Sequence, residues 1–260
     1  MLEKPLKLHM EALARLVRME NLGELHVTLK PLAVWRRKAD QHRLETEARK
    51  EFQRLNLLDR RGRVEVEVVA SLAVLCRAGA EFYGWINEGD DTKGVLAGAI
   101  GREAVLAVRE GAMVTVSQIR PETLPNALVA QTSDIPPSRG EAVSVLRSDM
   151  LATVAGRQRT AAGVGMRPAP PEVRIVQQVI AQPTTGTGEL YVAVRDRMGR
   201  RTPVRTPLRY ADTPTGRWLN YMTPAGEGDE RVLVAPATRG DLAGRLQEMH
   251  RNLTSGPNRN

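Results

Sequence analysis

The sequence predicts an α+β fold: a central, mostly antiparallel β-sheet flanked by helices and built as two quasi-equivalent halves. Three observations predict it. The last fifty residues hold strand-like runs at 201–210, 216–222 and 231–236, then a capped helix from 238 to about 252. Runs at 94–100, 104–108 and 113–119 are parted only by Gly101-Arg102 and Glu110-Gly111, as short as antiparallel hairpins require. The two regions also echo one another. The pattern of 104–110 returns at 190–196, and that of 114–124 returns at 232–242. The echo reads either as a paired architecture or as the general likeness of any strand–turn–helix unit.

Taken in order, 6–9 reads as a short strand, and Met10, Leu13, Leu16 and Val17 then share one helical face. A short extended piece at 25–29 stops at Pro31. The next helix spans about 39–55, with Leu44, Ala48, Phe52 and Leu55 on one stripe. Residues 59–62 make a turn. Residues 64–78 alternate like a strand at first and step like a helix later, and their length favours a helix. A strand at 82–86 leads into an acidic loop at 87–92. After the hairpins, Pro121 opens a short helix to 128, confined by Pro125. Pro136, Pro137 and Gly140 punctuate a loop before a strand at 142–146 and a helix at 148–158. Ala, Gly and Pro then mark 160–170 as the linker. Pro171 opens a helix to 181, 184–188 reads as a turn, and 190–195 as a strand. The expected organisation is an N-terminal α/β half at 1–159, the linker at 160–170, a C-terminal α/β half at 171–253 and a flexible tail at 254–260.

Composition limits the function. At 260 residues the chain can bury a substantial core. The longest apolar stretch, 68–76, falls far short of the roughly 20 residues a membrane span needs. No signal peptide is visible at the start, so a cytoplasmic location without membrane insertion is expected. A single cysteine, Cys76, excludes an internal disulfide framework and a cysteine-based zinc site, and reads as core.

The net charge of +8 raises nucleic-acid binding as an alternative, a basic accessory protein. Against it, six of the 38 basic residues are lysines, and the arginines that remain are scattered among acids. Such an arginine bias more often reflects a GC-rich genome than a phosphate-binding surface. The densest cluster is Arg36, Arg37 and Lys38, with Arg43 nearby. Aromatic content of 3% gives little to stack bases on.

No catalytic set is legible. His9, His26, His42 and His250 lie at unrelated spacings, with no i, i+4 pair to hold a metal. There is no Gly-x-Ser-x-Gly elbow and no phosphate-binding loop with a lysine. The expectation is a non-enzyme with no catalytic residue, cofactor or metal.

Along the second meander, Arg195, Arg197, Arg205, Tyr210, Arg217 and Tyr221 are placed to line an exposed sheet face. Arginine and tyrosine are the types enriched in interface hot spots. The competing reading, expected to hold for about half of them, is ordinary pleated-surface residues. Trp218 reads as core.

The closing block then becomes specific. Residues 209–218 (Arg-Tyr-Ala-Asp-Thr-Pro-Thr-Gly-Arg-Trp), 231–238 (Arg-Val-Leu-Val-Ala-Pro-Ala-Thr), Leu242, Leu246 and Met249 resemble the EspG family of ESX (type VII) secretion in actinobacteria. Residues 102–111 resemble that family's central hairpin, and the order of elements matches over nearly the whole chain. The resemblance implies an EspG-like sheet with quasi-two-fold halves. It further implies a chaperone that binds a PE/PPE-type heterodimer at the PPE tip and keeps it soluble for export, acting as a monomer or weak dimer. The acidic residues Glu88, Asp90 and Asp91 fall where the family has an extended loop close to the cargo. Read from the residues alone, they are the solvated tip of a hairpin.

Overall fold

Leu6 and Leu8 bury one side of the first strand, β1 (Leu6–His9), while Lys7 faces out. His9 ends the strand and caps the first helix, its Nδ1 accepting the Glu11 N–H at 3.2 Å. In the computed structural model this helix, α1 (Met10–Met19), buries Ala12, Leu13, Leu16 and Val17, the stripe expected from the sequence. The structure describes residues 2, 4–31, 38–160, 170–226 and 228–255, with backbone alone at 38–41 and 154–160. Of the expected linker at 160–170, residues 161–169 lie outside the described residues, as do 256–260 of the expected tail at 254–260, whose first two residues continue the last helix, and Arg36 and Arg37.

Next come α2 (Lys38–Arg54), α3 (Val66–Arg77), β2 (Ala80–Glu88), β3 (Asp91–Ile100), β4 (Glu103–Glu110) and β5 (Met113–Gln118). A single 3₁₀ turn, Pro121–Thr123, leads into α4 (Leu124–Val129). The second part of the chain holds β6 (Val143–Leu146), α5 (Arg147–Thr160), α6 (Pro171–Ile180), β7 (Gly186–Arg195) and β8 (Arg201–Pro203). It closes with β9 (Leu208–Thr213), β10 (Gly216–Gly226), β11 (Asp229–Pro236) and α7 (Arg239–Ser255).

Among the described residues all eleven strands join one sheet, ordered β1-β5-β4-β3-β2-β7-β9-β10-β11-β6, with β8 beside the far end of β7. Every pairing within it is antiparallel. The order makes the two halves explicit. β2 and β7 pair at the centre, from Ala80 opposite Val194 to Glu88 opposite Gly186. Outward from them run β3, β4, β5 on one side and β9, β10, β11 on the other. Each outermost strand, β1 or β6, comes from ahead of its own meander. The echo between 114–124 and 232–242 therefore joins true counterparts, β5–α4 and β11–α7. The echo between 104–110 and 190–196 does not, since the counterpart of β4 is β10.

The pleat assigns the layers. Leu6, Leu8, Val114, Val116, Val105, Leu96 and Tyr83 meet α1, α2 and α3 on one face. Phe82, Val95, Ala97, Leu190, Val192, Leu208, Tyr210 and Leu219 meet α4 and α7 on the other. Val143, Val145, Trp218 and Val234 form a smaller core under α6, with Val173 and Val176 facing them. By pleat parity this core lies on the same face as α3, so the helices of the two halves flank the sheet in matched positions.

Four sequence expectations need correction. Residues 25–29 form no strand: 25 and 26 are irregular and 27–29 are a turn. The run at 201–210 splits into β8 and β9, because Pro203 and Pro207 cannot donate to a continuous central ladder. The glycines at 186 and 188 belong to β7 rather than to a turn before it. The acidic loop contracts to the two residues Gly89 and Asp90, since β2 and β3 pair out to Glu88 opposite Asp91. Cys76 is half-buried against the N-terminal core, and burial pushes its thiol up to about 11.

Candidate partner-binding surface

The helical layers leave the middle of one face bare. Between α3, which packs on β3 and β4, and α6, which packs on β6 and over Trp218 of β10, no described helix packs extensively on this face of β2, β7, β9 and the rest of β10. From the centre of β2 to that of β10 are three strand spacings, about 14 Å. An α-helix with side chains is about 10–12 Å across, so the trough admits one.

Its floor is aromatic. Tyr83 and Tyr191 face each other across the central strand pair and stack at 5.3 Å, with ring planes 13° apart. Trp85 stands edge-on to both, at 6.5 and 6.0 Å. Tyr83 is buried, whereas Trp85 and Tyr191 are partly buried against the same core. Beside them Arg209 Nε meets Glu189 Oε1 at 2.7 Å, and the Tyr191 hydroxyl donates to Glu189 Oε2 at 2.9 Å. The hydrogen bond from Arg209 holds the Glu189 carboxyl below its ordinary range, against the opposing pull of burial. Burial and the bond to Glu189 push the Tyr191 phenol up to about 12. The floor thus pairs stacked rings with one neutralised, half-exposed ion pair, the mixed chemistry of a protein interface.

One end of the trough is built on a buried carboxylate. Glu81 is 2% exposed. It receives Arg201 Nε at 2.7 Å and Arg195 Nη2 at 3.2 Å, with His26 Nε2 at 3.6 Å. Burial raises the Glu81 pKa, but the bonds from His26 and Arg201 outweigh it and hold the group ionised. Burial pushes His26 down, only partly offset by Glu81, which leaves the imidazole neutral. Arg201 also covers the Tyr83 ring at 5.0 Å. Arg197 and Arg205 lie nearby, exposed, in the excursion between β7 and β9.

At the opposite end of β2, eight residues or about 26 Å away, stands the acidic turn. Glu88 accepts from Lys93 Nζ at 2.8 Å and Ser133 Oγ at 2.6 Å, and the lysine contact keeps its carboxyl low. Asp90 and Asp91 are exposed.

The nine residues singled out in the sequence therefore do not form one patch. Asp90 and Asp91 mark the turn at one end of the trough, and Arg195, Arg197 and Arg205 the other, while Glu88 has the parity of Phe82 and Ile86 and turns to the covered face, where it meets Ser133. Tyr210, Arg217 and Tyr221 point to the covered face. Tyr210 is 2% exposed and Arg217 is fully buried, so neither lines an exposed sheet face. Tyr221 is half-buried under the Arg245 guanidinium, 3.8 Å from its ring centre. The reason is pleat parity: on β10 the bare face carries Asn220 and Met222, and a one-residue offset exchanges the two faces. Sequence reasoning missed Trp85, Glu189, Tyr191 and Arg209. The signal available was the aromatic run around Tyr83, but both sides of β2 read as apolar.

Among the described residues no group of three or more His, Cys, Asp and Glu is placed to hold a metal. No described helix is long and apolar enough to cross a membrane.

The family model for the EspG family matches residues 9–248. The chain belongs to the EspG family. Among solved structures, this EspG-family fold is similar to one in the structure of the Mycobacterium tuberculosis type VII secretion system chaperone EspG5 in complex with the PE25-PPE41 dimer. That match has a TM-score of 0.65 and 16% sequence identity, covering 94% of this chain and 95% of the other. At that identity the likeness speaks to the fold: the open antiparallel sheet with its helices is shared. No curated protein matches this family member.

Proposed function

We propose that this protein is a non-enzymatic, cytoplasmic chaperone that binds a PE/PPE-type heterodimer and keeps it soluble for export by a type VII (ESX) secretion system. The observation that carries the reading is the bare aromatic trough on an EspG-family sheet. A chaperone for a folded heterodimer needs a broad, preformed surface with apolar anchors and a polar rim, and no nucleophile. Here Trp85 and Tyr191 are the anchors, and Glu189, Arg209 and Asn220 supply polar contacts. The two rim ends carry Arg195, Arg197 and Arg205, and Asp90 and Asp91. The width of the trough would take one helical segment of the PPE partner. Family membership and the described relative, a chaperone solved with a PE25-PPE41 dimer, support the same reading.

The arginine excess supports protein binding over nucleic-acid binding. Arg195, Arg201, Arg209, Arg217 and Arg239 are spent on internal ion pairs. Co-expression with a PE/PPE pair encoded nearby, followed by size-exclusion chromatography, tests the proposal. The expected result is a co-eluting ternary complex holding one copy of the chaperone. Absence of such a complex with every available pair overturns it.

A further inference from the structure

The pseudo-two-fold symmetry of the sheet isolates one feature that belongs to a single half. At the end of β2 the chain reverses through Gly89 and Asp90 into β3. At the equivalent end of β7 it makes an excursion, from Asp196 through β8 to Pro207, before β9 begins. The symmetric solution is a tight turn, so the longer path is not demanded by the sheet.

The excursion is held firmly. Asp196 Oδ1 accepts the N–H groups of Met198 at 2.9 Å and Arg200 at 2.8 Å. Asp196 N–H donates to the Arg200 carbonyl at 3.0 Å, and Gly199 N–H to the Asp196 carbonyl at 3.0 Å. Gly199 supplies the positive φ, +80°, that closes the turn. β8 then hydrogen-bonds to β7, and Arg195 and Arg201 clamp both feet of the excursion onto buried Glu81. Arg195 Nη1 also bonds the Gly199 carbonyl at 3.0 Å.

What this wiring presents is an apolar side chain in open solvent. Met198 is 93% exposed, the most exposed large apolar residue among those described. Val27, next to the His26 that Arg201 touches, is 53% exposed. Arg197 adjoins Met198, and Arg205 lies on the return path. Both are exposed and have no ion-pair partner among the described residues. The opposite end of the central strands carries the acidic turn, so the charge at the excursion is local.

We propose that the 196–207 excursion is a recognition loop, in which Met198 inserts into an apolar notch and Arg197 and Arg205 meet the acidic rim around it. The occupant is an acidic surface of the bound protein cargo, so the inference rests on the chaperone reading above. A flexible thioether suits a notch of irregular shape. Two arginines without an ion-pair partner among the described residues favour a protein rim over a membrane, since polybasic membrane anchors use clusters of about four to eight cations. Steering by Arg197 and Arg205 acts on the association rate, and insertion of Met198 acts on dissociation.

The test uses the full chain and the PE/PPE heterodimer that co-elutes with it, followed by surface-binding kinetics at several salt concentrations. Arg197→Glu with Arg205→Glu is expected to slow association about tenfold at low salt and to flatten its salt dependence. Met198→Asp is expected to speed dissociation about tenfold, and Met198→Leu to leave it within about twofold. All three positions are exposed, so circular dichroism melts should coincide with wild type. A wild-type complex whose rates these variants leave unchanged overturns the recognition loop and leaves the chaperone function standing. Failure of the wild-type protein to bind the heterodimer overturns both. Flotation with anionic phosphatidylserine vesicles that depends on Arg197 and Arg205 also overturns the proposal, in favour of a lipid surface.

Discussion

Arg217 and Asp212, directly opposite on β10 and β9, form a two-pronged ion pair sealed from solvent. Arg217 Nε lies 2.6 Å from Asp212 Oδ1, and Nη2 lies 2.8 Å from Oδ2. The remaining guanidinium donors reach Thr132 Oγ1 at 3.0 Å and the Ser133 carbonyl at 2.8 Å, and the cation covers the Tyr210 ring at 4.6 Å. The pair thereby joins the loop after α4 to the second meander, the connection through which the two halves exchange chain.

Breaking this pair should cost more than removing it. Asp212→Ala leaves a buried guanidinium uncompensated, and a loss of about 3–5 kcal/mol in unfolding free energy is expected. Arg217→Lys should also destabilise, because an ammonium cannot make the forked contact. Arg217→Met with Asp212→Leu should recover most of the loss. Urea unfolding of the four proteins measures this, and a single variant within about 1 kcal/mol of wild type would refute the assignment.

Acid should destabilise the fold in two steps, and the signs agree. Burial holds the folded His26 and His250 below their ordinary value of 6.5. The unfolded chain therefore takes up protons first, and stability is lost as pH falls from about 6.5 through the lower folded values. Glu81 is likewise held below 4.5, so its contribution is complete above that value and fades beneath it. Denaturant midpoints measured from pH 8 to 4 should hold level to about pH 7 and decline below it, with the decline between pH 7 and 5 reduced in His26→Gln with His250→Gln. A flat wild-type profile over that interval would contradict the buried neutral imidazoles.

Much of the fold is legible in the sequence because its elements carry their own signals. Alternation marks β5, a short continuous apolar run marks β4, a 3.6-residue stripe marks α1, and short glycine turns force antiparallel pairing. The bare trough was not legible, since it arises from which strands become neighbours. Glu189, Tyr191 and Arg209 acquire a common surface only when β7 lies between β2 and β9, a long-range pairing no local pattern encodes. Tyr210 and Arg217 were misplaced for the same reason. Polarity suggested an exposed face, whereas the register turns both inward, where each finds a partner on an adjacent element.

The trough makes a separate prediction about binding. Trp85→Ala and Tyr191→Ala remove partly buried rings of the trough floor, so each should lower cargo affinity about tenfold or more. Their cost to unfolding stability should stay near 1–2 kcal/mol, because neither ring is fully buried. Glu189→Lys should weaken binding as well, by placing two cations side by side with Arg209. Titration calorimetry with the heterodimer distinguishes these from Tyr83→Ala, whose buried ring should lower stability and binding together. Full affinity in the Trp85 and Tyr191 variants would move the cargo site elsewhere.

Gly188 is a strand residue because the Tyr210 ring fills the place a side chain would take. Its backbone lies directly opposite Tyr210, and a β-carbon there would stand 2.3 Å from Tyr210 Cε1. The ring occupies the place of the missing side chain, clamped from the other side by Arg217. Gly188→Ala must push the ring away while Arg217 and the α7 core hold it, so a loss of about 1–3 kcal/mol is expected despite the better strand propensity of alanine. Tyr210→Leu alone should also destabilise, by emptying part of the core. Combined, the two changes should cost less than their sum, since the shortened side chain relieves the clash. A double-mutant cycle by urea denaturation reads a coupling of about 1 kcal/mol or more in that direction. Strict additivity would mean that the glycine serves backbone freedom alone, not the seat of the Tyr210 ring.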